Sequence, residues 1–218
     1  MKRLYIVVEG QAEQEFVNSL IAPYLYRYNI YDVTPILIRT SKTGRGGFVN
    51  YLHLKNDVMK LLQSTKSDFI VSTFVDFFRI PEVPYRERWA SKGTHLEQVL
   101  EMEKCIFDDI SDRRFIPYIQ LHEFEALLFS SNKGFEAYFT SSEAIETQKI
   151  IEAYNNPEDI NSSPGGAPSK RLQSIKADYN KVIEGNLIAL EIGINELLAK
   201  CPKFKSWITR LIEATKDN

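Results

Sequence analysis

A chain of 218 residues with 44% hydrophobic and 12% aromatic content can bury a sizeable core. That excludes a disordered protein and sets the scale at one large domain, or one domain with a small appendage. Its 27 basic and 29 acidic residues nearly cancel, leaving a net charge of −2, which excludes a uniformly basic nucleic-acid coat but not a local basic groove.

In chain order, Leu4-Tyr5-Ile6-Val7-Val8 is apolar at successive positions, the pattern of a strand covered on both faces in a parallel sheet. It runs into Glu9-Gly10. The segment Glu13 to Tyr28 has apolar residues at helical spacing, with Pro23 expected to kink or split it. Val33 to Ile38 reads as a second strand, with Pro35 suggesting a strand start or an edge. A Gly-rich loop, Ser41 to Gly47, precedes a helix over 50–65. Phe69 to Val75 is a third strand ending in Asp76, residues 79–93 are a polar loop, and 95–109 form a helix. Phe115 to Leu121 is a fourth strand leading into His122-Glu123-Phe124-Glu125. Strands separated by helices give an α/β fold with a mostly parallel four-stranded sheet. From about 131 the strand signals stop. Helices are expected at 142–154, 169–184, 187–200 and 203–215, with a long surface loop from Asn155 to Ala167. The organisation is therefore an α/β core over 1–130 and a helical C-terminal extension over 131–218 packed on it.

Cys105 and Cys201 match no metal or redox spacing and read as reduced thiols. The apolar run after Met1-Lys2-Arg3 lasts only about five residues before Glu9, against the roughly 7–15 of a signal-peptide core. A cytoplasmic protein with no membrane segment is expected.

In open α/β sheets ligands bind beyond the carboxyl ends of the strands. Glu9, Asp76 and the pair Glu123 and Glu125 all lie there if strands one, three and four are parallel, and Glu13 follows Glu9 by one helical turn. Carboxylates gathered at one point repel each other unless a cation is present. Oxygen donors of this kind suit Mg²⁺ or Mn²⁺. The bland alternative is that Glu13, Glu123 and Glu125 merely favour the macrodipole of a first helical turn. It explains Glu9 and Asp76 less well, because each closes a strongly apolar strand. Of Glu123 and Glu125, which on a helix point apart, Glu123 is favoured as nearer the strand end.

Two segments are candidates for phosphate. Lys42 and Arg45 stand in the Gly-rich loop, which is not a Walker A loop and reads equally as a polar turn. Ser169 resembles a helix N-cap, yet it is followed by Lys170 and Arg171 at the positive end of the dipole. A bound anion would justify them; an ion pair with acids of the core is the alternative. His122 adjoins Glu123 and is either a proton carrier or a structural histidine. Trp89, Trp207 and Phe204 read as packing residues.

The segments Val8-Glu9-Gly10-Gln11-Ala12-Glu13, Val75-Asp76-Phe77-Phe78, Leu121-His122-Glu123-Phe124-Glu125 and Pro168-Ser169-Lys170-Arg171, in this order, resemble the Toprim catalytic domain. More closely, the chain is similar to a bacterial family of small Toprim-like proteins related to OLD (overcoming lysogenization defect) and RloB-type nucleases. The resemblance implies a Rossmann-like Toprim core and Mg²⁺-dependent phosphodiester chemistry on nucleic acid. It makes Glu9, Asp76 and Glu123 the catalytic candidates and Glu9, Glu13, Asp76, Glu123 and Glu125 the metal ligands. It also suggests phage defence beside a separate ATPase partner. Three departures from the pattern stand out: Asp76-Phe77-Phe78 lacks the second Asp, Ala12 stands where Thr is common, and Ser131 stands where Asp is expected. The missing Asp leaves two alternatives open, a non-catalytic Toprim-fold binding or regulatory module, and a small nucleotide-handling phosphotransfer enzyme.

Overall fold

The expected parallel sheet forms. The computed structural model describes residues 2–39, 50–63, 68–77, 81–160 and 166–216. In it β1 (Arg3–Val8), β2 (Val33–Leu37), β3 (Phe69–Asp76) and β4 (Phe115–Ile116) lie in the order β2-β1-β3-β4, all parallel. Pro35 is on the edge strand, where a missing N–H breaks no ladder. The expected fourth strand comes in two pieces. Pro117 separates β4 from β5 (Ile119–Gln120), which pairs with the last residues of β3. At the break Thr73 Oγ1 donates to Tyr118 O and accepts from Tyr118 N, both at 2.8 Å, so a side chain replaces the lost backbone partner.

The helix after β1 is not split by Pro23. Helix α1 (Gln11–Phe16) passes through a π-helical turn, Val17–Ile21, into α2 (Ala22–Tyr26). The wider turn accommodates a proline that lacks an N–H and crowds the preceding turn. On the other face lie α3 (Tyr51–Leu62), the short α4 (Arg86–Trp89) within the expected loop, and α5 (His95–Ile110) with a Thr94/Glu97 capping box. Two short helices, α6 (Glu125–Leu128) and α7 (Lys133–Tyr138), precede α8 (Ser141–Ala153).

The C-terminal region differs most from expectation. The helix foreseen over 169–184 ends early as α9 (Pro168–Ile175). The chain restarts at a π-helical turn, Lys181–Gly185, capped by Asn180 through Ile183 N and leading into α10 (Asn186–Ile192). Gly193, at φ 82°, divides the next expected helix, so α10 is followed by α11 (Ile194–Lys200) and then α12 (Pro202–Thr215). Nor is 155–167 only a surface loop: Pro157, Glu158 and Ile160 are buried. The Glu158 carboxylate accepts the first N–H groups of α12, from Lys203 at 2.8 Å and Phe204 at 3.0 Å.

Strand alternation divides the core. Phe69, Val71 and Val75 pack with α3 and α5, while Ile70 and Phe74 join Leu4, Ile6 and Val8 in the cluster shared with α1 and the C-terminal helices. Trp207 of α12 stacks on Tyr118, with centroids 4.3 Å apart, and donates its Nε1–H to Ser72 Oγ at 2.9 Å. The helices after residue 131 thus share one apolar core with the sheet. Among the described residues no helix is long and apolar enough to cross a membrane.

Helices α7 and α10 meet at Gly134, where a Cβ would lie 2.6 Å from the Ile188 carbonyl oxygen and 2.8 Å from Ile188 Cγ2. A backbone oxygen cannot swing aside. Gly134→Ala is expected to destabilise the fold by about 1–3 kcal/mol, the usual cost of overpacking, as measured by denaturant unfolding.

Candidate functional site

Four buried carboxylates gather at the carboxyl edge of the sheet. Glu9 closes β1, and Glu13 lies one turn into α1. Asp76 ends β3 on the same face as Ile70 and Phe74, which turns it toward the C-terminal helices. Glu125 begins α6. Into this group reaches Lys181, the first residue of the π-helical turn. Its Nζ lies 2.8 Å from Glu13 Oε1, 3.3 Å from Glu125 Oε2 and 3.4 Å from Asp76 Oδ2. It also stands over the Phe124 ring at 5.6 Å. Glu9, Gly10, Gln11, Ala12, Glu13, Lys181 and Val182 line an open cleft of about 230 Å³. Larger grooves, of about 500 and 620 Å³, lie at α8 and α5, away from these acids.

The electrostatics are unbalanced. Burial raises the Asp76 carboxyl well above the ordinary range; Lys181 pulls it down, while the charges of Glu13, Glu9 and Glu125 push it up. Burial likewise raises Glu125, against Lys181 and with Glu123. Burial works to lower Lys181, but Asp76, Glu13 and Glu125 together hold it well above its usual value. Asp76 Oδ1 accepts the Phe124 N–H at 2.9 Å, which fixes the carboxylate against the start of α6. Glu13 Oε1 and Glu125 Oε2 have no hydrogen-bond partner of proper angle among the described residues, and each faces the ammonium. Two further buried acceptors nearby, Tyr179 Oη and Asn186 Oδ1, also lack one. Buried polar atoms are rarely left so, and here four of them lie close to Lys181 and its acids.

Glu123 sits apart from this group. It is half-buried, and its Oε2 accepts the Ser169 N–H at 2.9 Å. The anion at the N-terminus of α9 is therefore a carboxylate of this chain, which lies at the rim of the cluster while Glu125 lies in it. Ser169 is not the N-cap: the helix begins at Pro168 after Ala167, because proline fits the first helical position. Arg171 donates to Gly166 O at 2.7 Å and to Tyr154 Oη at 3.1 Å, and stacks over the Tyr154 ring. Among the described residues it pairs with no acid of the core. Lys170 is exposed, bonded to Gln173, and remains the cation available to solvent on this helix end. Lys42 and Arg45 lie outside the described residues.

His122 occupies the left-handed region at φ 65°, a conformation costly for a residue with a Cβ, and turns the chain from β5 toward Phe124. Its ring lies 5.2 Å from His95, and burial followed by the His95 charge lowers its pKa to about 4. It is thus neutral at neutral pH, and its left-handed turn redirects the chain between β5 and the segment that carries Glu123 and Phe124.

Lys181 is the residue that reading along the sequence missed. The signal was a cap residue, Asn180, followed by a cation at the positive end of a helix, the same anomaly noted at Lys170 and Arg171. The continuous helical periodicity through 169–184 hid it.

As to metal, the donors are the right kind, all hard oxygens, and two of them, Glu13 Oε1 and Glu125 Oε2, meet the ammonium of Lys181 as ion pairs without a well-directed hydrogen bond. Among the described residues no three acidic, histidine or cysteine side chains are already arranged about one point as an ion needs. The carboxylates converge on the ammonium instead. The oxygens suit a divalent ion in donor type, while their arrangement is that of an ion pair with Lys181.

Compared with known families, residues 8–212 match the family described as "Domain of unknown function (DUF4276)". No curated protein matches the chain. Among solved structures the chain is similar to the C-terminal region of the Burkholderia pseudomallei OLD protein, at 13% identity and a TM-score of 0.44, covering 97% of this chain and 99% of that one. A likeness of that degree carries no information on activity.

A carboxyl whose folded pKa lies above its unfolded value binds more protons folded than unfolded between the two, so its contribution to stability falls as pH rises through that window. Asp76→Asn removes the charge and keeps an acceptor for Phe124 N–H. Below the ordinary Asp value of 3.8 the two proteins differ little on this account. Thermal melts from about pH 4 to about pH 8 should show wild type falling progressively behind Asp76→Asn. A constant offset across that range would sink the claim that burial raises this group.

Proposed function

The chain belongs to the DUF4276 family, and with the geometry of its acidic cleft as the second premise we propose that it is a divalent-metal-dependent phosphodiesterase acting on nucleic acid, a nuclease. One observation carries the reading. Glu9, Glu13, Asp76 and Glu125 are buried together at the carboxyl edge of a parallel sheet, and among the described residues Glu13, Asp76 and Glu125 share the ammonium of Lys181. Folding alone penalises such an excess of negative charge.

In this reading Glu9, Glu13, Asp76 and Glu125 hold Mg²⁺ or Mn²⁺, with Glu123 at the rim. The ion, when bound, polarises a phosphoryl oxygen and activates water. The chain's own residues do the rest. Phe124 N–H orients Asp76, and the turn at His122 sets Phe124 in place. The exposed Lys170 draws in the phosphate backbone without reading sequence. Burial raises the Glu125 carboxyl, so Glu125 would take its deprotonated form and release its proton where an ion is held there. Arg171, tied to Gly166 and Tyr154, shapes the loop rather than meeting phosphate. Action in the cytoplasm belongs to this reading from the short apolar run before Glu9, and a role in phage defence and a separate ATPase partner belong to it by resemblance.

A second reading, a binding or regulatory module without catalysis, is favoured by one observation: Lys181 already partly neutralises the cluster. The small-nucleotide reading is weaker. The cleft of about 230 Å³ falls below the roughly 300–1,000 Å³ usual for small-molecule pockets.

Purified protein with Mn²⁺ should cleave plasmid or single-stranded nucleic acid. Glu13→Gln, Asp76→Asn and Glu125→Gln should each lower the rate by roughly a hundredfold or more, the scale of losing one electrostatic contact to the reacting centre. Glu123→Gln should cost less. Wild-type activity that survives all three substitutions would remove the site from the mechanism; no cleavage by wild type under any metal would favour the module.

A further inference from the structure

Resting on the metal-dependent reading, we propose that Lys181 is the resident counter-cation of the carboxylate cluster and that a divalent ion takes its place, the ammonium swinging out to solvent as the ion binds. The charge arithmetic requires a cation of some kind. Three carboxylates from three elements, Glu13 of α1, Asp76 of β3 and Glu125 of α6, share one ammonium. An ammonium has three protons to donate. Here the distances spread from 2.8 to 3.4 Å, and Glu13 Oε1 and Glu125 Oε2 are left without a well-directed hydrogen bond. A doubly charged ion that prefers carboxylate oxygen satisfies the same acceptors better. It also competes for the lone pairs the ammonium faces and repels its charge.

The side chain can leave. Lys181 keeps 32% of its exposure although its head is in the cluster, so its stem lies open to the cleft. Among the described residues its ammonium donates to no backbone carbonyl that would hold it. Lys203, another lysine paired with a buried acid, shows the contrast. It is 8% exposed, and its Nζ donates to both Glu103 Oε1 and the Ile119 carbonyl at 2.6 Å, so it is locked. One lysine is built to stay and the other to move.

The test uses the full chain without substrate. Lysine reactivity toward an amine-acylating reagent, followed site by site by mass spectrometry at constant ionic strength, should rise severalfold at Lys181 when Mg²⁺ or Mn²⁺ is added. Lys170 and Lys203 serve as unmoved references. Unchanged or slower acylation at Lys181, with the ion shown to be bound by a thermal shift, overturns the exchange. Independently, Lys181→Met should melt lower than wild type without metal and gain more melting temperature from Mn²⁺ than wild type does. Equal gains in the two proteins overturn the exchange and leave the metal reading standing. No gain in either overturns the metal reading, and the exchange with it. Should Lys181→Met not fold without metal, the acylation of wild type decides.

Discussion

Charge imbalance at one edge of the sheet is the constraint around which the rest of this molecule is arranged. The apolar strands β1 and β3 each end in an acid, and the first turns of α1 and α6 add two more. Burial raises the cost of every one of those charges, as the shifts at Asp76 and Glu125 show. Some positive group must stand among them, and the fold supplies one from more than a hundred residues away in sequence, at Lys181, bonded to Asp76 with a separation of 105. The break between α9 and the π-helical turn makes this possible. A continuous helix through 169–184 would have carried Lys181 elsewhere.

The C-terminal helices reach the cluster only because they are fixed firmly to the sheet. That attachment is itself polar at its centre. Glu158 takes the first N–H groups of α12, Lys203 joins α12 to Glu103 of α5 and to the end of β5, and Trp207 reaches Ser72 on β3. Lys203 and Lys181 have opposite shifts for a physical reason. Burial lowers Lys203, whose nearest acid, Glu103, does not offset it fully, whereas three acids together outweigh burial at Lys181. The first is a structural clamp in a satisfied network. The second sits in an unsatisfied one, and buried polar atoms without partners are where a protein meets something other than itself.

At the start of α9 an anion of the chain itself meets the helix, because Glu123 docks on the Ser169 N–H, while Lys170 and Arg171 bond to Gln173, Gly166 and Tyr154. Glu123 was the acid favoured from its nearness to the strand end, and that nearness places it at the rim; Glu125, two residues on, turns inward with α6. Proximity in sequence is a weak guide at a point where the backbone makes a left-handed turn, as it does at His122.

The α/β class, the parallel sheet and the strand-end positions of Glu9 and Asp76 were legible in the sequence, because strand alternation and strand ends are local patterns that burial enforces. Pro35 on an edge strand and Asp76 facing the C-terminal helices follow from the same period of two. Only the tertiary structure decided what those acids meet. The split of the fourth strand at Pro117 and its repair by Thr73, the burial of Glu158 in an apparent surface loop, and the arrival of Lys181 among three carboxylates all rest on contacts between segments far apart in the chain. No local periodicity encodes such contacts. They are set by where buried charges and unpaired backbone groups find partners once the chain is packed.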